Sequence, residues 1–176
     1  KGQNGAGKTS MLRVLAGLVE ADCGEVYFAL QNIKDCREHY HQNLVYFGHK
    51  LGINSTLSAV ENLQYWCKQH EVFISVDTIF YTLAQLNLVG LEDIPVANLS
   101  AGQQRRVALA RFWFKQNAKI WILDEPFTAL DTQGVELISK QITTFLSGGG
   151  AVVMTSHQAL RLDYPTEELT LEYRIQ

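Results

Sequence analysis

Residues 2–9 read GQNGAGKT, which matches the phosphate-loop pattern G-x-x-x-x-G-K-[ST] in full. The glycines of this stretch allow backbone conformations that a Cβ atom would forbid, so that successive N–H groups can form a cradle for anionic oxygens. Lys8 is expected to reach the β- and γ-phosphates, and the Thr9 hydroxyl is placed to ligate Mg²⁺. The stretch therefore predicts a site for a nucleoside triphosphate, with a chance Gly-rich turn as the alternative.

A helix is predicted directly behind this loop. Apolar residues recur at helical spacing from Met11 to Leu18. The positive end of the helix dipole would then face the phosphates. Such a loop normally follows a buried strand, and here Lys1 alone precedes it. We therefore expect the sequence to begin inside its own nucleotide site, without the first strands of the domain.

Composition and charge favour a single globular domain over residues 1–176. Hydrophobic residues make up 47% of the chain, and the formal net charge is −3. The sequence has no broad cluster of basic residues that would predict nucleic acid as a partner. Arg105, Arg106 and Arg111 are expected on the solvated face of a helix. No apolar run approaches the roughly 18–20 residues that a membrane span needs. We therefore expect any contact with a membrane to be made through a partner protein.

The cysteines and histidines give a weaker signal. Cys23, Cys36 and Cys67 are odd in number and form no C-x-x-C pair, which favours buried thiols in a reducing compartment. His39 and His41 lie close to Cys36 in the sequence, so a metal or haem site is one interpretation of this segment. A polar surface segment is the favoured interpretation, because the spacing is not that of a ligand set.

Strands are predicted to alternate with helices along the chain. The strands are expected at 26–30, 44–47, 120–123 and 151–154, with a half-exposed strand over 169–175. Helices are expected over much of 57–97, from about 101 to 115, and from about 134 to 146. The continuous apolar run at 120–123 is typical of a strand buried on both faces of a parallel sheet. The alternation predicts an α/β fold with a mainly parallel core.

An acidic pair follows the run at 120–123. Asp124 and Glu125 stand at the carboxyl end of this strand, where ligands of open α/β sheets bind. Asp124 is expected to hold Mg²⁺, usually through a water. Glu125 is suited to polarise the water that attacks the γ-phosphate. A solvated turn before Pro126 is the alternative.

A second helix N-terminus is predicted at residues 99–104, which read LSAGQQ. Ser100 is a natural N-cap, and Gln103 three residues later completes a capping box. The helix could bind an anion at this end, and Gly102 would allow close approach. A capped helix without a ligand is the alternative.

The motifs together resemble the ATPase subunits of ABC transporters, over essentially the whole chain. The stretches that carry the resemblance, in order, are 2–9, 99–104, 120–125, 129–131 and 155–157. The resemblance implies a P-loop NTPase core with a helical signature subdomain at about 55–105. It also implies a head-to-tail dimer, in which the phosphate loop of one copy and the signature helix of the other enclose each ATP.

The resemblance implies roles for single residues. Ser100 and Gly102 would contact the γ-phosphate bound by the second copy, Asp131 would bridge the dimer interface, and His157 would help to position the attacking water. The nucleotide-binding set is Gly2, Gln3, Asn4, Gly5, Ala6, Gly7, Lys8, Thr9, Ser10, His49, Ser100, Gly102, Gln103 and Asp131. The catalytic set is Glu125 and His157, and the metal ligands are Thr9 and Asp124.

Residues 46–49, 99–111 and 121–131 resemble most the bacterial haem exporter group of this family. That likeness implies an ATPase on the cytoplasmic face of the inner membrane, with polytopic membrane subunits and, indirectly, haem and a haem chaperone of c-type cytochrome biogenesis. Another cargo, or a soluble ABC-type translation factor, is the alternative. His49 stands where the family usually carries a Gln that contacts Mg²⁺. It could ligate or hydrogen-bond through a ring nitrogen, or be purely structural.

Overall fold

The computed structural model describes residues 6–156 and 164–171. The chain forms two compact units. Unit 1 comprises Lys1–His49, Asn117–Pro126 and Thr143–Gln176, and unit 2 comprises Lys50–Gln116 and Phe127–Ile142. The helical subdomain predicted at about 55–105 and the single domain predicted over 1–176 stay predictions.

Unit 1 is built on a parallel sheet. Its elements are α1 (Lys8–Leu15), β1 (Tyr27–Phe28), β2 (Gln31–Asn32), α2 (Arg37–Asn43), β3 (Leu44–Phe47), β4 (Ile120–Asp124) and β5 (Ala151–Thr155). The strand order is β3-β4-β5, and both pairings are parallel. This arrangement confirms the α/β class and the strands predicted at 44–47, 120–123 and 151–154.

The central strand β4 is buried, as its apolar sequence predicts. Trp121, Ile122 and Leu123 are at most 1% exposed. The Trp121 ring stacks on Phe145 with centroids 3.9 Å apart, and α1 packs Leu12 into the same core cluster as Ile122. Burying such side chains contributes about 1.5–3 kcal/mol each, so this packing stabilises α1 against the sheet.

Two strand predictions need correction. The strand predicted at 26–30 is confirmed only over Tyr27–Phe28 and is wrong beyond it, because Ala29 and Leu30 adopt left-handed φ values of 48° and 66°. This turn separates β1 from β2, which pair antiparallel as a short hairpin. Of the strand predicted at 169–175, residues 169–171 are not in a strand, and 172–175 lie outside the described residues.

Unit 2 is helical. It contains α3 (Ala59–Gln69), α4 (Val76–Gln85), α5 (Ala101–Leu109) and 3₁₀ turns at Val96–Asn98 and Ala110–Trp113, while α6 (Thr132–Ser147) has residues in both units. The helix predicted at 101–115 therefore ends earlier and tightens into a 3₁₀ turn. Among the described residues, no helix combines the length and the apolar character that a membrane span requires.

The arginines predicted on a solvated face are in fact buried. Arg105, Arg106 and Arg111 are 8%, 9% and 7% exposed. Arg111 donates hydrogen bonds of 2.6 Å to the carbonyls of Ala108 and Leu51, and its burial lowers the pKa of the guanidinium to about 10. Main-chain carbonyls therefore take the place of solvent around this side chain.

The prediction of buried thiols is confirmed for one of the three cysteines. Cys67 is buried, which raises the pKa of its thiol to about 11, whereas Cys23 is exposed and Cys36 is half-buried. The His41 ring nitrogen lies 3.2 Å from the Ala16 carbonyl oxygen just after α1. Among the described residues, no cluster of three His, Cys, Asp or Glu side chains could hold a metal ion.

Candidate nucleotide site

The N-terminus of α1 is shaped by Gly7. This residue is the N-cap, with φ 85° and ψ 10°, a left-handed conformation that favours glycine. Glycine offers no side chain to cap the helix, and the Gly7 carbonyl accepts the first helical hydrogen bond from Met11 at 2.8 Å. The first N–H groups of α1 thus have no side-chain cap from Gly7 and suit an anionic ligand.

Asp124 links the loop to the sheet. The Thr9 hydroxyl donates to Oδ2 of Asp124 at 2.7 Å, and the Thr155 hydroxyl donates to Oδ1 at 2.6 Å. Asp124 is 3% exposed. Hydrogen bonds from hydroxyl donors offset part of the cost of burying a carboxylate. The Thr9 hydroxyl and the Asp124 carboxylate form an all-oxygen donor set of the kind that suits Mg²⁺.

Glu125 occupies a strained backbone position. Its φ is 51°, in the left-handed region that a glutamate rarely adopts. Its N–H group donates to the Thr155 carbonyl at 3.2 Å and to the Thr155 hydroxyl at 3.1 Å. The end of β5 thus supplies both acceptors for this amide, and the strain coincides with the residue predicted to be catalytic.

The N-terminus of α5 in unit 2 is fully capped, as predicted. The Ser100 hydroxyl accepts from the Gln103 N–H at 3.3 Å, and the Gln103 side chain accepts from the Ser100 N–H at 2.8 Å. Gly102 lies against the segment before α6, because a Cβ at this position would come 2.9 Å from the Ala129 carbonyl oxygen. Ala129 itself has a left-handed φ of 61°.

An ion pair joins α5 to Asp131, the residue directly before α6. Arg106 Nη2 lies 2.6 Å from Asp131 Oδ1, which also accepts from the Gly134 N–H at 2.8 Å. Arg106 Nη1 donates to the Leu86 carbonyl at 3.1 Å. The Gly134 amide and the Arg106 guanidinium lower the pKa of Asp131. The described contacts of Asp131 thus lie within unit 2, and its predicted part in a dimer interface stays a prediction.

The other predicted residues fall in three groups. Ala6 directly precedes Gly7, and Ser10 lies in the first turn of α1. His49 is exposed two residues after β3. Gly2, Gln3, Asn4, Gly5 and His157 lie outside the described residues. Sequence reasoning missed Thr155 as a partner of Asp124. The signal was present, since two apolar parallel strands end in Asp124 and Thr155, but it needs the strand register.

The loop, the helix N-terminus and the acidic strand end define a P-loop nucleotide-binding protein of the α/β class. A family model described as ABC transporter matches residues 1–128. The cytochrome c biogenesis ATP-binding export protein CcmA of Vibrio cholerae is 47% identical over 165 residues, covering 94% of this chain and 79% of that protein. The corresponding protein of Yersinia pestis is 52% identical over 162 residues, covering 91% and 72%.

Solved structures have the same fold. An ATP-binding protein from Pyrococcus furiosus, described as an ABC transporter, superposes with a TM-score of 0.78 at 22% identity, over 97% of this chain and 81% of that one. An ATP-binding cassette solved as a dimer in a post-hydrolysis state, bound to ADP and Pi, gives 0.76 at 25% identity, over 89% and 72%. The chain belongs to the ABC transporter family, as an ATP-binding subunit with the ATPase activity of that family.

Proposed function

We propose that this chain is the ATP-hydrolysing subunit of a membrane complex that exports haem, or releases a haem-loaded chaperone, during c-type cytochrome biogenesis. The observation that carries the ATPase part is the 2.7 Å hydrogen bond between Thr9 and Asp124, which joins residues 115 positions apart in the sequence. It brings the end of the phosphate loop to the acidic strand end, as a nucleotide-hydrolysing site requires.

One copy supplies the binding half of the site. The N–H groups at the start of α1 and the Lys8 ammonium bind the phosphates, together with the rest of residues 2–10. Thr9 and Asp124 hold Mg²⁺, which would offset phosphate charge when bound, and His49 contributes a ring nitrogen near this edge of the sheet. Glu125 polarises the attacking water as general base, and His157 helps to position that water.

A second copy supplies the other half. Ser100, Gly102 and Gln103 at the N-terminus of α5 approach the γ-phosphate from across a head-to-tail dimer, and Asp131 lines its interface. The dipole of α5 and the charge of Lys8 both favour the anionic γ-phosphate. Hydrolysis and loss of that phosphate remove the attraction. ATP therefore biases a two-state switch between a closed and an open dimer.

The cargo and the partners are proposed from the relatives and from the resemblance in the motifs. Both relatives described above carry the name of a cytochrome c biogenesis export protein. We place the chain as a peripheral subunit on the cytoplasmic face of the bacterial inner membrane, bound to polytopic membrane subunits. These membrane subunits contact haem and its chaperone, so the chain acts on both only indirectly. Nucleic acid is not proposed as a partner.

A pull-down tests this assignment. Full-length Glu125→Gln protein is captured with MgATP from detergent-solubilised cells, and co-purified proteins are identified by mass spectrometry. A Lys8→Ala, Glu125→Gln double variant serves as the control, because it should not bind the nucleotide. Nucleotide-dependent recovery of small polytopic membrane proteins with haem-handling components supports the proposal. Recovery of an unrelated permease would contradict the cargo, and recovery of ribosomes or DNA would contradict the transport function.

A further inference from the structure

The hydroxyl of Thr155 lies at the centre of a small hydrogen-bond network at the ends of β4 and β5. Asp124 and Thr155 are direct partners in the parallel register, as the last residue of each strand. Side chains of paired residues leave the same face of a sheet. The register thus explains why the two side chains meet at 2.6 Å.

The Thr155 hydroxyl acts both as a hydrogen-bond donor and as an acceptor. It donates its single proton to Oδ1 of Asp124 and accepts from the N–H of Glu125 at 3.1 Å. A threonine hydroxyl has one donor and two acceptor positions, so these bonds are compatible. Valine has almost the same shape as threonine but could make neither bond.

Each bond holds a group that would otherwise have freedom. The terminal torsion of an aspartate is broad, so a carboxylate held at one oxygen can still turn. With Thr9 on Oδ2 and Thr155 on Oδ1, both oxygens of Asp124 have fixed partners. The hydroxyl shares the Glu125 N–H group with the Thr155 carbonyl, and it thereby helps to hold this residue in its left-handed conformation.

We propose that Thr155 is a positioning residue for ATP hydrolysis, because its hydroxyl fixes the Asp124 carboxylate and the Glu125 backbone in one geometry. The proposal rests on the proposed roles of Asp124 and Glu125. Thr9 has a second task at the metal, whereas the hydrogen bonds of the Thr155 hydroxyl serve Asp124 and Glu125. Threonine is therefore required here for its hydroxyl and not for its size.

The test compares Thr155→Val, Thr155→Ala and Thr155→Ser in the full-length protein. Substitution of a residue that hydrogen-bonds to a metal ligand typically lowers activity or metal affinity by about 10–100-fold. The Val and Ala variants should therefore lower kcat by that factor. The KM for ATP should change by less than about threefold, because the phosphate-binding groups are intact. Ser should stay within about threefold of wild type in both parameters, since it keeps the hydroxyl.

A second readout does not need turnover. Mn²⁺ affinity in the presence of a non-hydrolysable ATP analogue, measured by electron paramagnetic resonance, should fall about tenfold for Val and Ala but not for Ser. Thr82→Val is the matched control. Thr82 is buried in unit 2, and its hydroxyl donates to the Thr78 carbonyl at 2.9 Å, so this variant loses one hydroxyl bond in a helix without changing kcat.

Two results would overturn the proposal. One is a Val variant that folds and matches wild type in kcat and Mn²⁺ affinity. The other is a Ser variant that loses as much as Val or Ala, which would assign the effect to the methyl group. If the Val variant does not fold, the Ala and Ser pair decides. Absence of ATP hydrolysis by wild type would contradict the proposed function instead, and the Mn²⁺ affinities would still test the hydroxyl.

Discussion

Helices α1 and α5 begin in opposite ways, although both N-termini are proposed to bind phosphate. The N-cap of α1 is Gly7, which has no side chain, and the first helical residue is the cation Lys8. The N-cap of α5 is Ser100, whose hydroxyl and backbone amide are both bonded to Gln103. A positive charge opposes the dipole at a helix N-terminus, whereas a capping box stabilises it. Thus α1 is arranged for its ligand, whereas α5 is stable without one.

The surroundings of the two helices differ in the same sense. The first turn of α1 is bonded to the buried Asp124 of the sheet. Helix α5 is held by the close approach of Gly102 to Ala129 and by an ion pair to Asp131, whose side chain is 64% exposed. The first turn of α1 is thus tied to a buried carboxylate, whereas α5 is tied in part to an exposed one, although its second half is buried.

The largest effect is expected at α1, from Lys8→Ala. Charged hydrogen bonds to a ligand contribute about 1.5–3 kcal/mol, so ATP affinity should fall by about 10–100-fold or more. Because Lys8 opposes the helix dipole, the free energy of unfolding should change by less than about 1 kcal/mol. Titration with a fluorescent ATP analogue and a thermal melt measure both. Lys68→Ala, which changes an exposed lysine of α3, is the control, and tight ATP binding by Lys8→Ala would contradict the assignment.

A smaller effect is expected at α5, from Ser100→Ala. Loss of an N-cap costs about 0.5–2 kcal/mol in stability. Ser75→Ala is a matched control, because the exposed Ser75 caps α4 by accepting from the Thr78 N–H at 3.1 Å. Both variants should lose similar stability in a melt, but Ser100→Ala alone should lower kcat, by about tenfold. Equal ATPase activity of the two variants would mean that Ser100 is only a cap.

The smallest effect is expected at the ion pair, from Asp131→Asn. Since the folded state lowers the pKa of Asp131, its charge stabilises the fold above the ordinary value of 3.8, and this contribution is lost as the pH falls through the lower folded-state pKa. The variant should melt about 1–2 °C below wild type at pH 7. The difference should vanish at lower pH. Asp93→Asn in the same unit is the control, and a pH-independent difference would contradict the role of the charge.

The local features of both helices could be predicted from the sequence. The capping box of Ser100 and Gln103 needs residues three apart, and the Gly7–Thr9 turn is part of a continuous motif. The burial of Arg106 could not be predicted, because its partners Leu86 and Asp131 lie 20 and 25 residues away. A guanidinium surrounded by carbonyl and carboxylate oxygens can be buried, but the sequence alone does not reveal those partners.

The sheet shows the same limit. Apolar runs predicted β3, β4 and β5, and Asp124 was correctly expected at a strand end. The hydrogen bond from Thr155 to Asp124 depends on the strand register, which short apolar strands do not reveal in sequence. The hairpin turn at Ala29 and Leu30 was missed because neither residue favours the left-handed conformation. The roles proposed for His49 and His157 stay predictions.

The most direct test of the two-copy site is the MgATP-dependent dimerisation of full-length Glu125→Gln protein, measured by sedimentation velocity. We expect this variant to dimerise with MgATP and to remain monomeric with MgADP. Adding Ser100→Ala should weaken the dimer by about tenfold, in line with its expected effect on kcat, whereas adding Ser75→Ala should leave it unchanged. Hydrolysis of ATP by Glu125→Gln at the wild-type rate would contradict the role of Glu125. A dimer that is indifferent to Ser100→Ala would contradict a nucleotide site shared between α1 of one copy and α5 of the other.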